Sequence, residues 1–191
     1  MNFNPLSPDA IDRTIIAEFY RNQNLHPLAD LSSFDGEGVY FIFSEKLPYY
    51  HDKFQPIYIG KAVNRGGRKG LMSSVGKALY SRLGNHAKSI NLAKNLDIDD
   101  FKFKVLTMDQ VWIAYCEGVF IRHFQPIWNT GYEGFGNKEP GVTRATQKLS
   151  LWDRTHPGRR DATIVPDRPD PVDVGPWCGT VDVWSMEDAS V

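Results

Sequence analysis

Two short runs decide the fold: Gly38-Val39-Tyr40-Phe41-Ile42-Phe43 and Pro56-Ile57-Tyr58-Ile59-Gly60. The first is β-branched and aromatic and follows the polar turn signal Asp35-Gly36-Glu37, so it reads as a strand. The second reads as its antiparallel partner. Pro56 can open a strand but would spoil the middle of one, and Gly60 lets the backbone turn out of the sheet. Side chains alternate along a strand, so Tyr40 shares a face with Ile42, and Tyr58 shares one with Pro56 and Gly60. Register decides whether the two phenols meet. Residues 44–55 form a long intervening loop.

Working outward, Ser7-Pro8-Asp9 supplies an N-cap, a first-turn proline and a favourable acid, and Ile11, Ile15, Ile16 and Phe19 recur at helical spacing. These predict a helix over 8–21 that packs on the sheet. From about Val75 to Leu96 the residues Ala78, Leu79, Leu83 and Ile90 keep one side of a second helix, while Arg82 and His86, four apart, share another and can address one phosphate together. As plain surface residues, the two would be an exposed cation and a polar side chain. Phe101-Lys102-Phe103-Lys104-Val105-Leu106 alternates apolar and basic residues, the pattern of a third strand with one solvated face. A third helix follows, capped by Asp109 and carrying Glu117 among Ala114, Tyr115, Cys116, Val119 and Phe120. A carboxylate so placed needs a positive partner, either a metal ion or an arginine such as Arg82 or Arg122. Pro126 then fixes a short run that presents Asn129.

The bulk composition bounds what these elements can be. With 191 residues and 41% hydrophobic content, the chain can bury one good core. No apolar run reaches the roughly 20 residues needed to span a bilayer, and Met1-Asn2-Phe3-Asn4-Pro5 lacks a basic region followed by an apolar one; a cytoplasmic location is expected. Cys116 and Cys178 lie far apart without zinc-like spacing, so reduced thiols are expected, Cys116 as a small core residue. The net charge of −1 hides a segregation. Lys61, Arg65, Arg68, Lys69, Lys77, Arg82, Lys88, Lys94, Lys102 and Lys104 crowd a stretch holding only Asp97, Asp99 and Asp100. That stretch can face phosphate.

The order Gly-Val-Tyr, Tyr-Ile-Gly-Lys, helical Arg82, Glu117 and Asn129 resembles the GIY-YIG nuclease superfamily over about Gly38 to Asn129. Val39 stands where that family usually has isoleucine, and the interval from Tyr40 to Tyr58 is longer than in its compact members. The resemblance implies an α+β fold with a small central antiparallel three-stranded sheet flanked by helices and irregular extensions. The corresponding organisation is an N-terminal helix and lead-in at 1–36, a catalytic core at 37–130, and an arm with an acidic, proline-rich tail at 131–191. It further implies phosphodiester hydrolysis in double-stranded DNA, with Glu117 holding one Mg²⁺, for which Mn²⁺ can substitute, and with 5′-phosphate and 3′-hydroxyl ends. A single metal carboxylate argues against two-metal chemistry.

In that reading Tyr40 or Tyr58 takes the proton of water, Lys61 favours tyrosinate, Arg82 assisted by His86 neutralises the phosphoryl charge, and Asn129 orients the acid or touches phosphate. The resemblance favours Tyr40 as the base. The Arg82 to His86 spacing, the Glu117 to Asn129 interval and Trp152-Asp153-Arg154 look like the type II restriction endonuclease branch, which implies a homodimer on DNA and a cognate DNA methyltransferase in the host. Arg65, Arg68 and Lys69 in a glycine-rich loop, with Arg144, Lys148, Arg154, Arg159 and Arg160 beyond Asn129, are the expected DNA contacts. A less specific nuclease of homing or repair type, or a catalytically silent DNA-binding module, are the alternatives.

Overall fold

The computed structural model describes residues 7–21, 24–46, 55–64, 76–136 and 149–159. Its elements, in chain order, are α1 (Pro8–Arg21), β1 (His26–Pro27), β2 (Gly38–Ser44), β3 (Tyr58–Ala62), α2 (Ala78–Leu92), a 3₁₀ turn (Ile98–Asp100), β4 (Phe101–Thr107), α3 (Gln110–Phe124), α4 (Ile127–Thr130) and α5 (Leu151–Thr155). The sheet is antiparallel with order β1-β4-β2-β3. The three expected strands are present. The fourth is the two-residue β1, whose His26 and Pro27 pair with Phe103 and Lys102 and which carries too short a pattern to be read as a strand.

β2 is central, and all seven of its residues are buried. That is why its sequence runs apolar without alternation: both faces are covered, as in sheets flanked by helices on two sides. On one face Val39, Phe41, Phe43 and Ile59 meet Phe19 of α1 and Ile113, Cys116, Phe120 and Phe124 of α3. On the other, Tyr40, Ile42, Tyr58 and Phe103 meet Leu79, Leu83 and Ile90 of α2, closed by Trp128, Phe135 and Trp152. Gly38 opens β2 at φ 152°, and a Cβ there would fall on the Leu106 carbonyl, so this position requires glycine.

The expected solvated face of β4 is a correction. Lys102 pairs with Glu45 at 2.6 Å, but Lys104 is buried: its ammonium donates to the Phe19 carbonyl near the α1 C-terminus and lies 3.8 Å from the Phe19 ring centroid. A cation there complements the negative end of the helix, while burial lowers the Lys104 pKa to about 8. α1 is also tied to α3 through Asp12, which accepts from Tyr115 Oη at 2.8 Å and from Arg122 at 3.2 Å.

α2 starts at Ala78 without help from the adjacent Lys77, which makes no side-chain cap. Its first N–H is met at 3.2 Å by Asn64 Oδ1 at the exit of β3, and the Asn64 N–H donates to Glu37 Oε2 at 2.9 Å. The start of α2 is thereby fixed relative to β2 and β3, which sets where Arg82 and His86 fall. α3 ends at Gln125 in the left-handed region (φ 46°), followed by Pro126.

Trp152 lies after the expected core boundary, yet it is fully buried against Trp128 and Phe135. Trp152→Ala should therefore cost about 3–5 kcal/mol in urea unfolding, as truncation of a buried aromatic does. A loss within about 0.5 kcal/mol, the range of surface substitutions, would show instead that this segment does not share the core.

Candidate active site

The β2–β3 register places Tyr40 opposite Gly60 and Ile42 opposite Tyr58. Both tyrosines therefore share the α2 face of the sheet, with ring centroids 6.2 Å apart. Gly60 lies within β3 and does not turn the chain out of the sheet; any Cβ at 60 would collide with the Tyr40 hydroxyl. The glycine of the second run is thus the floor on which the phenol of the first run lies. Gly136 does the same for Tyr58, whose hydroxyl occupies the space a Cβ would take.

His86 sits one turn after Arg82. It is buried, bonded through Nε2 to Tyr40 Oη at 2.8 Å, and stacked on Phe135 at 4.5 Å and 23°. Burial first, then the charges of Arg82 and Arg159, lower its pKa from 6.5 to about 3. It is neutral near pH 7, which corrects the expectation that it reinforces the charge of Arg82. Its sequence position carries the signal: Leu79, Leu83, His86 and Ile90 form the buried stripe of α2.

The Arg82 charge acts on both Tyr40 and Tyr58 and favours their ionised forms. Burial nevertheless dominates, and the Tyr40 pKa stands well above its ordinary value, raised further by Tyr58. Tyr58 is raised as well, chiefly by burial. Lys61 does not offset this. Alternation along β3 sends it to the α3 face, where Nζ meets Glu117 Oε2 at 2.5 Å. The expectation that Lys61 favours tyrosinate is corrected accordingly, and so are Arg82 and Arg122 as partners of Glu117, since Arg122 bonds Asp12.

Glu117 lies on α3 with its side chain 19% exposed, and its charge reaches Tyr58. Among the described residues no cluster of three or more His, Cys, Asp or Glu could hold a metal. Cys116 is a buried core thiol whose pKa is raised by burial. The Asn129 side chain is engaged with the backbone of β3. Its Oδ1 accepts from the Ile59 N–H and its Nδ2 donates to the Ile59 carbonyl, both at 2.8 Å, which locks the peptide next to Tyr58.

Arg154 lies in the last turn of α5 and is partly exposed. Arg159, an expected DNA contact, instead has its guanidinium inside the protein, paired with Asp153 at 2.8 Å. Arg65, Arg68, Lys69, Arg144, Lys148, Arg160 and Cys178, the middle of the 44–55 loop and the acidic tail lie outside the described residues. No helix among the described residues is long and apolar enough to cross a membrane. Sequence reading misses Phe135, Gly136, Asn64 and Glu37, each of which acts through a partner distant in the chain.

The family model for the Eco29kI GIY-YIG domain matches residues 32–173, a span that contains the whole cluster. A search of curated proteins finds no match to this chain.

The buried neutral imidazole has a measurable consequence. Between pH about 6.5 and about 3 the unfolded chain binds a proton that folded His86 does not, so stability falls as pH drops through that window. His156, lowered by burial to about 4, acts in the same direction. Melting temperatures from pH 8 to 4.5 should fall less steeply for His86→Asn than for the parent. Identical slopes would contradict a neutral buried His86.

Proposed function

The chain belongs to the Eco29kI GIY-YIG family of restriction endonucleases and is accordingly a nuclease acting on DNA; we propose that it is a type II enzyme that hydrolyses both strands of double-stranded DNA at a specific palindromic site. The observation that carries this reading is the packed group of Tyr40, Tyr58, Arg82 and His86, in which Tyr40 bonds His86 at 2.8 Å, beside the partly open carboxylate of Glu117.

The reaction begins with a proton. Tyr40 takes it from the attacking water while passing its own to His86 Nε2; the imidazolium so formed is transient, because burial and the charges of Arg82 and Arg159 oppose it as burial opposes a resting tyrosinate. Tyr58, whose ring centroid lies 6.2 Å from that of Tyr40, orients the water. The resulting hydroxide forms a bond to phosphorus, the bond from phosphorus to the 3′ oxygen breaks, and that oxygen takes back, through water, the proton held on His86, leaving 5′-phosphate and 3′-hydroxyl ends and a neutral imidazole. Arg82 neutralises charge on the phosphoryl oxygens.

Glu117 already faces a cation, the Lys61 ammonium, from a partly open position. One carboxylate with substrate phosphate and water is a sufficient donor set for Mg²⁺. Glu117 would hold one such ion, with Mn²⁺ as a substitute. Held by Glu117, such an ion would supply positive charge that stabilises the leaving oxygen.

Base reading falls to Arg65, Arg68, Lys69, Arg144, Lys148, Arg154 and Arg160, by the pairing of arginine and lysine with guanine edges. One site of this kind cuts one strand, so two protomers act across a two-fold DNA site. Light scattering on a short cognate duplex should give two protomers per duplex; one protomer that still makes concerted double-strand breaks would contradict this. A host carrying the enzyme needs a methyltransferase for the same site.

A metal-dependent plasmid assay tests the reading directly. Discrete fragments are expected, whereas random nicking would indicate a less specific nuclease and binding without cleavage a silent module. Glu117→Gln should bind the site within about threefold of the parent, since affinity comes mainly from basic surfaces. Its single-turnover cleavage should fall by about 10³-fold or more. Its melting temperature should hardly move, because an ion pair whose lysine lies at the surface, such as Lys61–Glu117, contributes only about 0–1 kcal/mol. Substantial cleavage by this variant would remove Glu117 from the metal site.

A further inference from the structure

The Arg159 side chain is almost completely buried, 3% exposed, and that of Asp153 opposite it is 2% exposed. Nε donates to Asp153 Oδ1 at 2.8 Å, Nη2 to the Gly134 carbonyl at 3.0 Å, and Nη1 to the Phe135 carbonyl at 3.2 Å and to Ser89 Oγ at 3.3 Å. The guanidinium also lies 4.6 Å from the Trp152 ring centroid. Asp153 is anchored in turn, accepting at 2.7 Å from Ser150 Oγ, the N-cap of α5.

Burying such a pair is expensive, and well-packed apolar residues could fasten α5 at least as well. What a planar fork adds is geometry. It joins α2 at Ser89, the turn at 134–135 and α5. The two carbonyls it grips belong to Gly134 and Phe135, and the Phe135 ring stacks on His86 and meets Tyr58 edge-on at 4.9 Å. The next residue, Gly136, passes so near the Tyr58 hydroxyl that no Cβ fits.

We propose that Arg159 is a positioning residue of the nuclease site, a clamp that seats Phe135 against His86 and Tyr58 and thereby holds the Tyr40–His86 pair in working geometry. This rests on the nuclease reading above. It also gives the residue an electrostatic effect. The groups facing His86 are Tyr40 from β2, Tyr58 from β3, Arg82 from its own helix and Arg159 from beyond α5, and the two cations favour neutral imidazole.

Two variants test the clamp: Asp153→Asn/Arg159→Gln, which neutralises both partners together, and Arg159→Lys, which keeps a cation but loses the fork. Both should cleave cognate DNA about tenfold or more slowly in single turnover, as small misplacements of reacting groups do. Both should bind the duplex without divalent metal within about threefold of the parent. The acid limb of the cleavage profile should move to higher pH in the double variant and stay in place in Arg159→Lys. Folded variants that cleave at the parental rate, or that lose binding and cleavage in parallel, would overturn the proposal; the second result would make Arg159 a DNA contact. If the double variant does not fold, Arg159→Lys alone decides between these outcomes from rate and affinity. If the parent itself does not cut DNA, the nuclease reading fails on its own, and the ¹⁵N signals of the His86 imidazole decide the clamp. Shifted signals in Arg159→Lys support it, and unchanged ones overturn it.

Discussion

The hydrogen bond between Tyr40 and His86 is the constraint on which the rest of this structure depends. A phenol and an imidazole can be buried side by side only if each satisfies the other. For them to meet, a ring on β2 must lie flat across the neighbouring strand, which excludes a side chain at Gly60. α2 must also start at one defined residue, which Asn64 secures from the end of β3. The register of two strands and the phase of one helix thus converge on a single contact.

The sheet separates two kinds of chemistry by simple alternation. Tyr40, Tyr58 and His86 lie on the buried α2 face, while Lys61, one residue past Gly60, points to the opposite face and meets Glu117 on α3. Because β3 is an edge strand, the two faces are close there, and the charge of Glu117 still reaches Tyr58. An acid and a phenol can then serve one phosphate from opposite sides of one strand without being buried together.

Local pattern reveals α1 at its observed bounds, the β2–β3 pair, β4, and the helices carrying Arg82 and Glu117. It also brings forward the two tyrosines, since β-branched and aromatic runs identify strands before any partner is known. It cannot reveal Lys104, whose burial depends on α1 crossing β4, nor Asn129, whose bonds are made to a backbone seventy residues away. His86 is misread from sequence because adjacency to Arg82 suggests a shared charge, whereas the stripe of Leu79, Leu83 and Ile90 places it inside. Arginines after Asn129 read as a basic surface, yet a guanidinium with a buried carboxylate six residues away can just as well turn inward, as Arg159 does.

Asn129 has a consequence for how the protein behaves in company. β3 is the last strand of the sheet, and an uncovered edge offers rows of backbone groups to which a strand of another molecule can add, the usual start of aggregation. The Asn129 amide occupies both groups of Ile59, and the Trp128 N–H takes the Ile57 carbonyl at 2.9 Å. At the far edge, β1 is two residues long and contains Pro27, which has no N–H to give. The strand that carries Tyr58 can therefore remain at the margin of the sheet, within reach of a large polymeric substrate, without inviting its own kind to pair with it.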